Sequence, residues 1–170
     1  MRPLLSGCLL LYGISITGFA QSPPHVGICD LLANAERWNG TLIETRGVVL
    51  LSRGVWLDAR TTCESRFVVE GILFENLIAL TDPGDKQLAM HDVPYDWNKT
   101  VWSTIVGRIL RANLSSQRVA VTVVGMFETR VPLKSLVNRR LPMTRMGFGD
   151  DNLAPAQILP KEFKAVRVVP

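Results

Sequence analysis

The chain has 170 residues, which argues for a single domain. Beyond the first twenty residues, no run is long and apolar enough to span a bilayer. The formal charge of +4 excludes no class of partner by itself, so the distribution of charge carries the information.

Arg2 gives the N-terminus a positive start, and Leu4 to Phe19 is a mostly apolar run carrying Gly7, Gly13 and Gly18. Gly18-Phe19-Ala20 puts small residues at the −3 and −1 positions before Gln21. Residues 1–20 therefore read as a secretory signal peptide cleaved after Ala20. A transmembrane anchor is the competing reading, but the run falls short of the roughly twenty residues a span needs. Leu5-Ser6-Gly7-Cys8 resembles a lipobox. Only seven residues precede Cys8, too few for an apolar segment to engage the export machinery. A start codon further upstream would strengthen the lipoprotein reading. The expected location is exported, periplasmic or secreted.

After the signal, Cys29 and Cys63 are the remaining cysteines. In an oxidising compartment a thiol pair favours a disulfide over a metal site. Two free buried thiols are the alternative.

Residues 21–28 form a flexible, proline-rich lead-in, and 29–170 form the domain. Leu31, Leu32, Ala35 and Trp38 share a helical face, Asp30 favours its first turn, and Asn39-Gly40 ends it. Thr41 to Leu51 is a strand interrupted by Gly47, where a bulge or bend is expected. Arg53-Gly54 is a turn, and "VWLDA" is a second strand. Residues 60–65 are a loop carrying Cys63. "RFVVEGILF" is a third strand with Gly71 inside it, and "LIAL" is a candidate continuation.

Residues 81–95 are irregular. Trp97, Val101, Trp102, Ile105, Val106, Ile109 and Leu110 then recur with helical spacing, and Asp96 stands at the N-cap position. A strand is the alternative there, because Val, Ile and Trp favour sheets. "RVAVTVVGMFETR" is a strand with Val119, Val121 and Val123 on one face and Gly125 as a bend. Residues 131–154 are a long loop. A final strand follows, in two pieces around Pro160.

The order is helix, three strands, helix, strand, long loop, strand. Recurrent glycine bends suit a small, strongly curved barrel. The expected fold class is mainly β with two helices: an OB-fold-like five-stranded barrel, one helix before strand 1 and one between strands 3 and 4. "LLANAERWNGTLIETRGVV" resembles the start of OB-fold-like domains of bacterial exported proteins: a helix, a W/Y-x-G break, then a strand ending in x-G-x-V. "MGFGDDNLAPAQILPKEFKAV" is similar to the ending of a group of small bacterial secreted proteins. The resemblance covers most of the chain after the signal, implies fold and export, and brings no activity with it.

Chemistry-bearing motifs are sparse. His25 and His91 are the two histidines, and neither keeps company at a metal-ligand spacing. "DPGDKQ" and "GDDN" lack the calcium-loop pattern. There is no Gly-x-Ser-x-Gly elbow and no phosphate-binding glycine loop. No cofactor and no catalytic residue is expected. Three Asn-x-Ser/Thr triplets, at Asn39, Asn98 and Asn113, are read as chance. The four tryptophans suit core packing better than a carbohydrate platform.

One charge feature stands out. Arg130, Lys134, Arg139, Arg140 and Arg145 fall in a stretch with no acidic residue from Thr129 through Gly149. In OB-folds the loop joining the last two strands frames the ligand face. The expected role is an exported, non-enzymatic binding or scaffold module that meets there a polyanion, such as an acidic glycan or an anionic lipid surface, or an envelope protein. A solvated loop with no ligand is the bland alternative. Export argues against nucleic acid as the natural partner. Two other readings stay open: a cell-envelope hydrolase with a dispersed carboxylate site, and a structural partner of another envelope protein.

Overall fold

A computed structural model describes residues 22–52, 54–64, 67–69, 72–84, 96, 98–130, 148 and 154–169. In chain order the elements are α1 (Ile28–Ala33), α2 (Ala35–Trp38), β1 (Thr41–Ser52), β2 (Gly54–Asp58), β3 (Phe67–Val69) and β4 (Ile72–Phe74). Then come β5 (Leu77–Leu80), α3 (Lys99–Leu114), β6 (Arg118–Thr129) and β7 (Ala156–Val169).

Five strands close a barrel in the order β1-β2-β5-β7-β6. Every pairing is antiparallel except the short parallel β5–β7 contact. Counted along the barrel's own strands the order is 1-2-3-5-4, and α3 lies between the third and fourth. The chain is thus a small OB-like barrel, as its element order predicts.

The predicted first helix is broken into α1 and α2 at Asn34, whose side-chain amide donates to Asp30 Oδ1 at 2.7 Å. Ile28, Leu31, Leu32 and Ala35 are buried against the barrel end. Gly40 then takes φ 71°, a left-handed conformation that glycine adopts without steric cost. The lead-in is held rather than free. Pro24 O accepts from Glu44 N at 2.9 Å, and Val26 N donates to Glu44 O at 2.8 Å. These bonds take the edge of β1 that β2, pairing only with Val48–Ser52, leaves open.

"RFVVEGILF" is not one barrel strand. Its two halves, β3 and β4, pair as a hairpin apart from the barrel, and "LIAL" supplies the third barrel strand. The reason is burial. All four residues of β5 are buried, as a strand covered on both faces requires, whereas Leu73 in β4 is 55% exposed. Asn76 ties the two units together: its Oδ1 accepts from Phe67 N at 3.1 Å, and its backbone oxygen accepts from Ala59 N at 2.9 Å.

α3 starts two residues later than the sequence predicts. Asn98, not Asp96, is the N-cap, and its Oδ1 accepts from Thr100 N and Val101 N. Ile105, Ile109 and Ala112 pack onto the barrel, and Trp102 meets Phe163 at 6.2 Å between ring centroids.

β1 passes through Gly47 with unbroken register against β6, so the expected bulge is absent there. A Cβ on Gly47 would stand 3.4 Å from Leu57 and 3.5 Å from Ile28. Those are ordinary van der Waals distances, so packing alone does not demand a glycine there. The irregularities lie instead in the β6–β7 seam, between Thr122 and Val123 and between Val124 and Gly125. β7 is one continuous strand, not two. Pro160, which has no N–H for the ladder, sits opposite Gly125 at the second irregularity.

Ile43, Leu57, Ile78, Val121, Val123, Phe127 and Ile158 fill the interior with at most 1% exposure each. Thr45 is fully buried on the same face of β1, and its hydroxyl has no hydrogen-bond partner among the described residues. A buried unsatisfied hydroxyl costs about 1–3 kcal/mol, and Val has nearly the same shape. Thr45→Val should therefore raise stability by about 1 kcal/mol, read as a higher denaturant midpoint at an unchanged slope.

The predicted disulfide is present. Cys29 and Cys63 are joined with 5.5 Å between their Cα atoms, tying α1 to the loop after β2. No helix among the described residues is long and apolar enough to cross a membrane.

Candidate functional site

In an OB-fold the outward wall of the second and third barrel strands, with the loop between the last two, makes the ligand face. Here that wall carries Trp56, Leu77 and Ala79, and all three are buried. Phe148 and Ala154, both from the β6–β7 connection, pack onto them. Phe148 and Ala154 also pair with each other through their backbones. These two residues of the connection therefore cover the wall at Trp56, Leu77 and Ala79.

Arg130 leaves the end of β6 and lies over Phe148, its guanidinium carbon 4.5 Å from the ring centroid. Burial pushes this guanidinium below its ordinary pKa, and the neighbouring Glu128 acts in the opposite sense. Lys134, Arg139, Arg140 and Arg145 lie outside the described residues.

The roots of the connection are fixed by a buried polar chain. Thr81 Oγ1 donates to Gln157 Oε1 at 2.9 Å, and Gln157 Nε2 donates to Glu128 Oε2 at 2.7 Å. Thr129 Oγ1 donates to Pro155 O at 2.9 Å, and its N–H donates to Asn39 Oδ1 at the same distance. Glu128 and Gln157 are at most 1% exposed. A carboxylate so enclosed meets no substrate; its bonds join β5, β6 and β7 beneath the connection. The sequence marks this pair only weakly. The available signal was a Glu and a Gln at positions flanked by apolar residues in two otherwise apolar strands.

Two adjoining clefts, of about 360 and 380 Å³, flank the disulfide and share Cys63, Glu64 and Asn76. The first also takes in Arg60 and Glu75. Arg60 is committed to Asp58, donating to both carboxylate oxygens at 2.9 Å. These hydrogen bonds hold the Asp58 carboxyl below its ordinary pKa.

His25 Nδ1 lies 3.7 Å from Glu44, which also accepts from Lys164. That bond from Lys164, more than any other influence, holds Glu44 below the usual carboxylate range. His91 lies outside the described residues. Among the described residues no group of three His, Cys, Asp or Glu side chains is arranged to hold a metal ion. Trp56 is buried, Trp102 packs against the core, and Trp38 is half-buried with Arg37 over its ring. Trp97 lies outside the described residues.

No protein-family model, curated protein or solved structure matches the chain.

Proposed function

We propose that the protein is an exported, non-enzymatic binding module that engages a polyanion of the cell envelope through its β6–β7 connection. The observation that carries this reading is the run of five cations, Arg130 to Arg145, with no carboxylate from Thr129 through Gly149. Its position in the barrel supports the reading further. The run begins where the fold fixes the connection to β5, β6 and β7, and its first cation stacks on a buried aromatic ring. Because Trp56 and its neighbours are buried, the ligand meets the connection rather than the wall beneath it. Affinity then comes from charge, which acts on any dense anionic array. Export and the disulfide are consistent with each other, since the pair Cys29–Cys63 suits an oxidising compartment.

The test compares wild type with an Arg139→Ala, Arg140→Ala, Arg145→Ala variant. Binding to single-stranded DNA, an acidic polysaccharide and anionic lipid vesicles would be measured at low salt. The variant should bind the preferred polyanion at least about tenfold more weakly, given the worth of charge-assisted contacts. Equal binding by both proteins contradicts the reading.

A second reading, an envelope hydrolase, draws on one observation: Glu64 and Glu75 line the same cleft beside the disulfide. It predicts that Glu64→Gln or Glu75→Gln abolishes a measurable glycan cleavage that wild type performs.

A further inference from the structure

The outward face of β1, β6 and β7 carries a feature that the basic connection does not use. Strand register places Arg46, Thr122 and Ala165 in one row across the three strands. Ala120 and Arg167 stand in the next row. The arginines therefore flank β6 diagonally, one from each side, and the residues between them are short. Together they line a notch of about 80 Å³.

Both guanidiniums are unspent. Among the described residues neither Arg46 nor Arg167 makes an ion pair or a hydrogen bond, although both are exposed. The nearby acids are engaged elsewhere: Glu44 with Lys164 and His25, Asp58 with Arg60. Arg118, two residues before Ala120 on the same face of β6, adds a third positive charge. The Asp58 carboxylate offsets part of the Arg118 charge, whereas Arg46 and Arg167 have no ion-pair partner among the described residues.

We infer that this notch is a binding site for a single tetrahedral oxyanion, a sulfate or phosphate group, held between Arg46 and Arg167. The volume fits. About 10–15 Å³ of such space admits one water, so a notch of about 80 Å³ has room for one small ion. The geometry fits as well. A tetrahedral anion offers oxygens to guanidinium forks approaching from two sides, and Arg pairs with such oxygens bidentately. Thr122, between the two arginines on β6, also lines the notch and brings a hydroxyl capable of donating. The site stands apart from the 130–145 connection and does not depend on its proposed role.

Amide NMR shifts of the purified protein would be followed while inorganic phosphate, and separately sulfate, replaces chloride at constant ionic strength. Saturable shifts at Ala120, Thr122 and Ala165 are expected with at least one ion. Arg46→Gln and Arg167→Gln, both at exposed positions, should each weaken binding by about tenfold while leaving the melting temperature in place. The Arg139→Ala, Arg140→Ala, Arg145→Ala variant should keep these shifts. Absence of saturation with both ions, binding by both single variants equal to that of wild type, or loss of the shifts in the triple variant overturns the site. The first two outcomes leave polyanion binding by the connection untouched, and the third would assign the bound ion to the connection.

Discussion

Replacing Cys29 and Cys63 by alanine should lower the stability of the fold by about 4 kcal/mol on chain-entropy grounds. The cysteines lie 34 residues apart, and the loop they close contains α2, β1 and β2. Untying it releases that segment in the unfolded state. The folded state suffers too, because α1 has six residues and no side-chain cap. A helix this short does not persist without tertiary support. Its Ile28, Leu31 and Leu32 close the barrel end, so loosening α1 exposes core. At roughly 2–4 °C per kcal/mol for a chain of this size, the melting temperature should fall by about 10 °C. Thermal unfolding of the double variant checks this. A loss under about 1 kcal/mol would mean that the barrel end is held by packing alone.

Gly125→Ala is the second change with a large expected effect. β6 and β7 pair from Arg118↔Val169 to Thr129↔Ala156, the longest seam in the barrel. A methyl group at position 125 would stand 2.5 Å from the Leu159 carbonyl oxygen and 2.6 Å from Ile158 Cγ2. Neither neighbour has anywhere to go. Ile158 and Leu159 are fully buried, and the oxygen belongs to the backbone just before Pro160. The strands must separate at the point where the register already shifts. Overpacking costs 1–3 kcal/mol in general, and a backbone clash belongs at or above the upper end, so a loss of about 3 kcal/mol is expected. Denaturant unfolding measures it. A midpoint equal to that of wild type would mean that β7 yields at Pro160 far more readily than its burial implies.

What the sequence revealed of this fold follows from periodicity. Val119, Val121 and Val123 alternate, and they face the core together. Asn39-Gly40 ends the first helical segment as its residue types require. The third barrel strand is "LIAL" rather than "RFVVEGILF", and as strings both are apolar enough to be a strand. Only the tertiary setting decides which of them is covered on both faces, and β5 is. Asp96 and Asn98 are both good caps, so spacing could not choose between them. The Cys29–Cys63 pair was readable by elimination once residues 1–20 were set aside.

The candidate sites were less legible for a physical reason. A charge run such as Arg130 to Arg145 is visible in one dimension. The covering of Trp56 by Phe148 is not, because 92 residues separate them in the chain. Arg46 and Arg167 are further apart still and meet across β6 only through barrel closure. Strand alternation places each on an outward face, but the register that makes them neighbours is a property of the closed sheet.

The central claim is that an exported OB-like barrel meets a polyanion by charge. The most direct measurement is the affinity of the wild-type protein for an acidic polysaccharide across a salt series. The account predicts binding at low salt whose logarithm falls steeply and linearly with the logarithm of salt concentration, as counterion release requires. No binding at low salt to the polysaccharide, to single-stranded DNA or to anionic vesicles would contradict it.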